Sequence, residues 1–414
     1  MRSAILALAL GCLGAAPAIS QEASNTLLVY DSMTKPFSME NEIDPIAILL
    51  ARFDPTIVRR AATEVQLPDM EKAARIVVVG TGGFPAMPPV CLDYLEKTTK
   101  PLVGIGAASS LGVPGKIRSF LKPSALTAGQ LIYSGSEWPA QVDPYFPVEV
   151  ASANVLARVL SSGHSIPICW REGNRIGFAA LPSSPPLSMI FSDALIDLFD
   201  PSASTTPALL FIVRDFNPSC SAESLRRLTD YFSHEGIPFA VTTQMRDLPE
   251  GTSPMPREEF VGALAYAESH GGRIFIRDGE GLKDSANFAP LKPCGIEDPV
   301  QPDSTALQIG RPALVRTPED SVSSFFIHTP MRLSSGGWLW PANVRGGLDG
   351  DLLGDIRRQV HEIISFRGGV AGVVIPAWLP FQSMRDLVDA ARSVGVTPID
   401  PLTAVPEPNP FKKP

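Results

Sequence analysis

The sequence predicts an α/β protein of two domains, and three observations lead to this fold class. Continuous apolar runs alternate with helix-like segments in residues 26–106 and again from residue 208 onward. This alternation is typical of parallel sheets that helices cover on both faces. The 414 residues exceed the usual size of one domain. A Ser- and Thr-rich stretch between Pro201 and Pro207 has the composition of a linker.

The first residues have the pattern of a secretory signal, predicted at 1–20. Arg2 precedes the apolar run from Ala4 to Leu10, and small residues around Ala18 supply a cleavage site before Gln21. The run is shorter than the roughly 20 apolar residues that span a bilayer, and no later segment is long and apolar enough. We therefore expect an exported, periplasmic or secreted protein without a transmembrane segment. Lipidation at Cys12 is the alternative.

The first domain, predicted at 21–205, has the element order of a flavodoxin-like or Rossmann-like layered fold. The predicted strands are 26–30, 75–79 and 101–105, and the predicted helices are 43–53 and 88–97. Short alternating segments at 130–134, 148–155, 166–170 and 175–180 predict an added β region, which a helix at 192–199 closes.

A glycine-rich loop, Gly80-Thr81-Gly82-Gly83, follows the second of these strands. It differs from the dinucleotide fingerprint, and no acidic residue ends a following strand at the expected distance. We interpret it as a tight strand-to-helix turn, with nucleotide binding as the alternative. The chain contains no G-x-S-x-G sequence, so nothing supports a serine hydrolase of that class.

The second domain, predicted at 206–402, repeats strand–helix units, and 403–414 is predicted as a flexible tail. The strands are expected at 208–213, 238–242, 273–276, 323–327 and 370–375. Ser221 is a suitable N-cap for a helix that Gly236 ends. Successive βα units of this kind predict a parallel (β/α) barrel or a partial barrel.

Charge and cysteine content limit the classes of partner. The formal net charge is −8 and no basic block occurs, so nucleic acid is not an expected partner. Disulfides are compatible with export, and free buried thiols are the alternative. If bridges form, domain logic favours Cys91–Cys169 and Cys220–Cys294, the second of which would close the barrel rim.

The second half resembles a family of bacterial proteins of unknown function that are related to polysaccharide deacetylases. The resemblance rests on five segments, 209–218 (LLFIVRDFNP), 225–232, 236–241, 271–276 and 370–379. The first domain also resembles an accessory domain that some members carry. The resemblance implies a deacetylase-like (β/α) barrel that acts on cell-envelope or exopolysaccharide glycans.

The motifs that bind the family's metal are missing. Where the family has two successive aspartates, this chain has Arg214-Asp215, and Ile375-Pro376 replaces a His-Pro pair. Residues 277–281 (RDGEG) replace the His-Gly-x-x-His motif. A catalytic metal needs about three protein ligands, and arginine stays protonated. We therefore expect no metal, no other cofactor and no deacetylation.

The predicted site lies at the carboxyl ends of the barrel strands. Asp215 and Asp278 are its vestigial catalytic residues, and its binding residues are Arg214, Asn217, Arg277, His328 and Trp378. The predicted function is that of an inactive glycan-binding or envelope-assembly module, and arginines exposed to solvent would favour an acidic sugar. A glycan hydrolase that uses Asp215 with Asp278 or Glu280 is the alternative, and a purely structural envelope protein is a third reading. Two roles are open for the tryptophans of this domain, stacking on sugar rings or packing in the core; these residues are Trp338, Trp340 and Trp378.

Overall fold

The computed structural model shows a mixed α/β protein with two large sheets. It describes residues 25–31, 46–54, 56–115, 122–183, 185–201, 206–244, 254–277, 291, 293–298, 313–315, 328–332, 338–345 and 351–403. The predicted signal, the predicted strand at 323–327 and most of the predicted tail lie outside these residues.

The first sheet has nine strands in the order β2-β1-β3-β4-β9-β8-β7-β5-β6. Its elements are β1 (Thr26–Tyr30), α1 (46–51), β2 (Ile57–Ala61), α2 (Leu67–Lys72), β3 (Arg75–Gly80), α3 (Pro89–Lys97), β4 (Leu102–Gly106), β5 (Ser124–Tyr133), β6 (Ser136–Tyr145), β7 (Val155–Ser161), β8 (His164–Glu172), β9 (Arg175–Phe178) and α4 (Leu187–Phe199). From β2 to β9 the neighbouring strands are parallel, and the remaining pairs are antiparallel.

The buried strands of this sheet form where the sequence predicts them. β1, β3 and β4 are continuous apolar runs with nearly every residue buried, as expected of parallel strands that are covered on both faces. The predicted strand at 148–155 is wrong. Val148 instead packs against Trp170 in a segment without strand pairing, and β7 begins only at Val155.

The second sheet has eight strands in the order β15-β16-β14-β13-β12-β11-β10-β17. Its elements are β10 (Ala208–Phe216), α5 (Ala222–His234), β11 (Phe239–Thr243), α6 (Arg257–Ser269), β12 (Gly272–Arg277), β13 (Gly295–Asp298), β14 (Ala313–Val315), β15 (Met331–Arg332), β16 (Trp338–Trp340), α7 (Leu352–Ile364), β17 (Val370–Pro376) and α8 (Phe381–Arg392). All neighbouring pairs are parallel except β15 with β16.

The edge of β17 that faces away from β10 is also occupied. The amide of Val344 donates to the carbonyl of Gly372 at 3.0 Å, and the amide of Val374 donates to the carbonyl of Val344 at 2.9 Å. The Asn343 side chain donates to the carbonyl of Val370 and accepts from the amide of Gly372. The residues that follow β16 therefore run beside β17, and the Asn343 amide replaces one peptide group of a neighbouring strand.

Capping and amphipathic residues explain α5, which connects β10 to β11. Ser221 accepts a hydrogen bond from the amide of Ser224 at 3.1 Å, as an N-cap does. Gly236 has a positive φ of 63°, which suits the residue that ends a helix. Leu228 and Phe232 lie on the buried face of the helix, as predicted.

The two sheets share one cluster of buried apolar residues. Phe366, between α7 and β17, stacks on Tyr133 at 5.9 Å and on Trp138 at 5.4 Å between ring centroids. Next to it, Arg367 binds the carboxylates of Asp193 and Asp197 on α4. Among the helices that the structure describes, none is long and apolar enough to cross a membrane.

Candidate functional site

An irregularity at the end of β10 places Asp215. The pairing of β10 with β11 shifts register between Val213 and Phe216, and Asp215 has a positive φ of 63°. Its amide donates to Thr242 Oγ1 at 3.2 Å. Bulges of this kind redirect a side chain, and aspartate is one of the few residues that tolerate positive φ. The bulge therefore turns the Asp215 carboxylate away from the regular alternation of the strand.

Four charged side chains meet at this end of the sheet, and we name them the charged quartet: Arg214, Asp215, Arg277 and Glu297. Arg277 donates a hydrogen bond to the Asp215 carboxylate. Arg214 Nε lies 3.6 Å from Asp215 Oδ2 and 3.4 Å from Glu297 Oε1. The quartet forms because β10, β12 and β13 are parallel, which brings their carboxyl ends to one edge.

The quartet has an outer and an inner pair. The Asp215 side chain is 30% exposed and that of Arg277 is 16% exposed. Arg214 and Glu297 lie beneath them and are buried. Burial raises the pKa of Glu297, and Asp215 acts in the same direction, whereas Arg214 and a hydrogen bond with Thr242 oppose the shift. The expectation that Arg214 and Arg277 offer exposed positive charge is therefore wrong, because carboxylates of the chain already pair with both.

Trp378 lies at the same edge. β17 pairs with β10 so that Pro376 faces Arg214, and the amide of Ala377 donates to the Arg214 carbonyl at 2.9 Å. Trp378 follows directly and is 67% exposed. Trp340 is fully buried and Trp338 belongs to the same apolar cluster, so these two serve core packing.

Asn217 lies beside Asp215 but is committed to the local turn. Its Nδ2 donates to the Asp215 carbonyl at 3.0 Å, and its Oδ1 accepts from the amide of Ser219 at 2.9 Å. Such bonds are typical of an asparagine that builds a turn before a helix. Asn217 therefore stabilises the turn that follows Asp215.

His328 lies elsewhere. Its carbonyl accepts a hydrogen bond from the amide of Val370, at the amino end of β17, whereas the quartet lies near the carboxyl end of that strand. The imidazole is fully buried, 5.7 Å from the Phe366 ring. The expectation that His328 faces the carboxyl edge is wrong. Asp278 and Glu280 lie outside the described residues.

Glu297 was not predicted from the sequence. It belongs to β13, a strand of only four residues, Gly295–Asp298, and two of these are acidic. So short and polar a run carries no strand signal of its own. Its pairing with β12, in which Glu297 faces Arg277, is what brings it into the site.

The residues around Asp215 do not fit the divalent metal that the resemblance implies. The carboxylate is engaged by Arg277 and lies close to Arg214, so two guanidinium groups occupy the space in which a cation would need further ligands. Within the part of the chain that the structure describes, no three His, Cys, Asp or Glu side chains come together as metal ligands do. No metal-dependent step follows from these residues.

The proposed bridge between Cys220 and Cys294 is wrong, and Cys91 and Cys169 are likewise free. Cys220 Sγ lies 3.6 Å from the Asp215 carbonyl, beside β10, whereas Cys294 directly precedes β13, three strands away in the sheet. Strands are about 4.8 Å apart and disulfides join Cα atoms less than about 7 Å apart. The two cysteines are therefore too distant to bond.

The glycine-rich loop of the first sheet holds an anion that belongs to the chain itself. The amide of Thr81 donates to Asp31 Oδ2 at 2.8 Å and that of Gly82 does so at 3.3 Å. Asp31 is buried at the end of β1, next to β3. This carboxylate takes two amides that a phosphate would need, and the connection is a run of bends rather than a tight turn, since α3 begins only at Pro89.

No known family model matches the chain, and no curated protein matches it significantly.

Proposed function

We propose that the protein binds a glycan of the cell envelope or an exopolysaccharide at the carboxyl edge of the second sheet and leaves the glycan intact. The observation that carries this proposal is Trp378, a largely exposed ring that follows Ala377, whose amide bonds to the carbonyl of Arg214 in the charged quartet. The faces of sugar rings are apolar and their rims are polar. A flat aromatic surface next to fixed donors and acceptors matches both properties.

The magnitude of the aromatic contact is sufficient for recognition. Aromatic side chains bury about 150–250 Å² when they are covered completely. If a sugar covers about 80 Å² of the Trp378 ring, apolar burial contributes about 2 kcal/mol, or about 30-fold in affinity. The outer pair of the quartet adds direction, because the planar guanidinium of Arg277 and the carboxylate of Asp215 are already fixed by each other.

We propose in addition that the second sheet belongs to a deacetylase-like (β/α) barrel, at 206–402. The pairing of β17 supports this proposal. β17 contacts β10 on one side and the segment after β16 on the other, which brings both ends of the sheet to one strand. For the first sheet, at 21–205, the order β2-β1-β3-β4 is that of flavodoxin-like layered folds.

Export is the third part of the proposal, and it rests on the signal-like pattern of residues 1–20. A periplasmic or secreted location would bring the site to envelope glycans. N-terminal sequencing of the protein from osmotic-shock fluid or culture medium is the test. A mature chain that begins near Gln21 supports export, and an intact N-terminus in the cytoplasmic fraction contradicts it.

Glycan binding is tested with the mature protein on an array of neutral and acidic bacterial glycans, followed by titration calorimetry of the strongest binder. Trp378→Ala is expected to weaken binding about 30-fold, and Trp378→Phe less, because a smaller ring is kept. Val90→Ala is the matched control, since Val90 is also an exposed apolar residue but lies on α3. Unchanged binding by Trp378→Ala, or no binding on the array, would refute the proposal.

Hydrolysis is a second candidate, favoured by one geometric observation. Asp215 and Glu297 each have an oxygen within 3.6 Å of Arg214 Nε, so these oxygens are at most about 7 Å apart, an upper bound that is compatible with the spacing of retaining glycosidases. The raised pKa of Glu297 suits a general acid. Its burial argues against contact with substrate. Release of reducing ends that Glu297→Gln abolishes would establish this function.

A further inference from the structure

We infer that the site at the carboxyl edge selects uncharged sugars over uronates, and that Asp215 sets this preference. The inference rests on the proposed glycan binding and concerns the charge of the ligand. From the sequence, two arginines at the rim predict a preference for acidic sugars, which is the opposite preference. The difference arises because the structure pairs both arginines with carboxyl groups of the quartet.

Among the residues that the structure describes, both arginines of the site are paired with carboxyl groups of the chain. Arg277 directs its guanidinium at the Asp215 carboxylate, and Arg214 lies between Asp215 and Glu297. Two guanidinium groups therefore meet two carboxyl groups. A sugar carboxylate that arrives at this edge would have to displace Asp215 from Arg277 before it could form an ion pair of its own.

Exposure strengthens the preference. Asp215 is 30% exposed and Arg277 16%, so a ligand reaches the Asp215 carboxylate as well as the guanidinium that is paired with it. A uronate carboxylate beside Asp215 would be repelled and would also lose its hydration, whereas hydroxyl groups donate hydrogen bonds to that carboxylate. The geometry thus favours hydroxyl-rich, uncharged ligands.

Asp215→Asn separates charge from shape. Asparagine has nearly the same volume and tolerates the positive φ of this position. The substitution removes one negative charge and leaves Arg277 free to pair with a ligand. We expect uronate affinity to rise at least tenfold at low salt, and the gain to shrink as salt screens the new ion pair.

The test titrates tetramers of glucose, galactose and mannose and their uronate counterparts at 20 and about 200 mM salt. The matched control is Asp355→Asn, which removes the same charge from an exposed pair with Arg358 on α7. The expected result is a wild-type preference for a neutral tetramer of at least tenfold. Asp215→Asn should narrow or reverse it, and Asp355→Asn should not.

The inference would be overturned if the wild type preferred uronates. It would also be overturned if Asp215→Asn and Asp355→Asn changed the affinity for uronates and for neutral tetramers by the same factors. Either result would leave glycan binding in place. Absence of binding to all six tetramers would also overturn the inference. The glycan array described above would then decide whether the protein binds any other glycan. Failure of the proposed function has a different signature, because Trp378→Ala would then bind every sugar as the wild type does.

Discussion

The buried imidazole of His328 makes a quantitative prediction about stability. The ring is fully buried against Phe366, and neither ring nitrogen has a hydrogen-bond partner among the described residues. Burial lowers the pKa of His328 to about 3, and the positive charge of Arg52 acts in the same direction. In the unfolded chain the same group has an ordinary histidine pKa of about 6.5.

The sign of the effect follows from proton uptake. Between about pH 6.5 and pH 3 the unfolded chain binds a proton at His328 and the folded chain does not, so the free energy of unfolding falls as the pH falls. The slope is about 1.4 kcal/mol per pH unit. The unfolded histidine is half protonated at pH 6.5, so the slope reaches its full value only below about pH 5.5, and the wild type should lose about 2.3 kcal/mol between pH 6.5 and pH 4.5 through this residue alone.

The perturbation is His328→Phe, which keeps a flat ring and removes the titration. Urea unfolding of the wild type and the variant is measured from pH 7.5 to pH 4.5. Contributions from carboxylates cancel in the difference between the two proteins because they are common to both. The matched control is His361→Phe, at an exposed position on α7.

The stability of His328→Phe relative to the wild type should increase steadily below about pH 6.5, and by more than that of the control His361→Phe, which replaces an exposed side chain. A difference for His328→Phe that stays constant within about 0.5 kcal/mol from pH 7.5 to 4.5 would refute the reasoning, because the imidazole would then titrate alike in the folded and unfolded chain.

Two further predictions concern the frame of the second sheet. Gly372→Ala should lower the free energy of unfolding by about 2–3 kcal/mol, because a Cβ there would lie 1.9 Å from the Pro341 carbonyl oxygen. Gly83→Ala is the control and should change the free energy of unfolding little, because the new methyl group would have open space around it. Denaturant unfolding compares the two variants. Arg367→Met should lower the free energy of unfolding by about 3 kcal/mol, because it removes the guanidinium that pairs with the buried carboxylate of Asp193. The control is Arg358→Met, which breaks an exposed ion pair and should cost much less. Thermal unfolding compares the two variants, and equal losses of stability would contradict this prediction.

Much of the fold could be predicted because buried parallel strands are visible in the sequence. The apolar runs that became β1, β3, β10 and β17 needed no partner to be recognised. The sequence IVRRA of β2 was missed, because two of its five residues are exposed arginines on an edge strand. Strands that depend on their neighbours for pairing carry too little pattern of their own.

The site was predicted in part for the same reason. Arg214, Asp215 and Arg277 end apolar strands, so the rule that parallel strands gather their carboxyl ends at one edge was enough to bring them together. This rule predicts where the side chains lie but not which of them form ion pairs with each other. It could not show that Asp215 binds Arg277 or that a buried Glu297 accompanies Arg214, because both facts depend on side-chain geometry and on the register of a short strand.

Three features that packing alone does not require coincide at this edge, and their coincidence supports the proposal of a binding site there. Asp215 holds a positive φ inside a bulge, Glu297 Oε2 is buried without a hydrogen-bond partner among the described residues, and Trp378 exposes most of its ring to water. Strained backbone costs on the order of 1 kcal/mol, and an unsatisfied buried oxygen costs about as much again. A frame that served packing alone could avoid the strained backbone with glycine at 215 and the exposed ring with lysine at 378, whereas Glu297 is also the counter-charge of the buried Arg214. If the proposed glycan covers the ring and bonds to the outer pair, it would recover part of what the unbound fold loses.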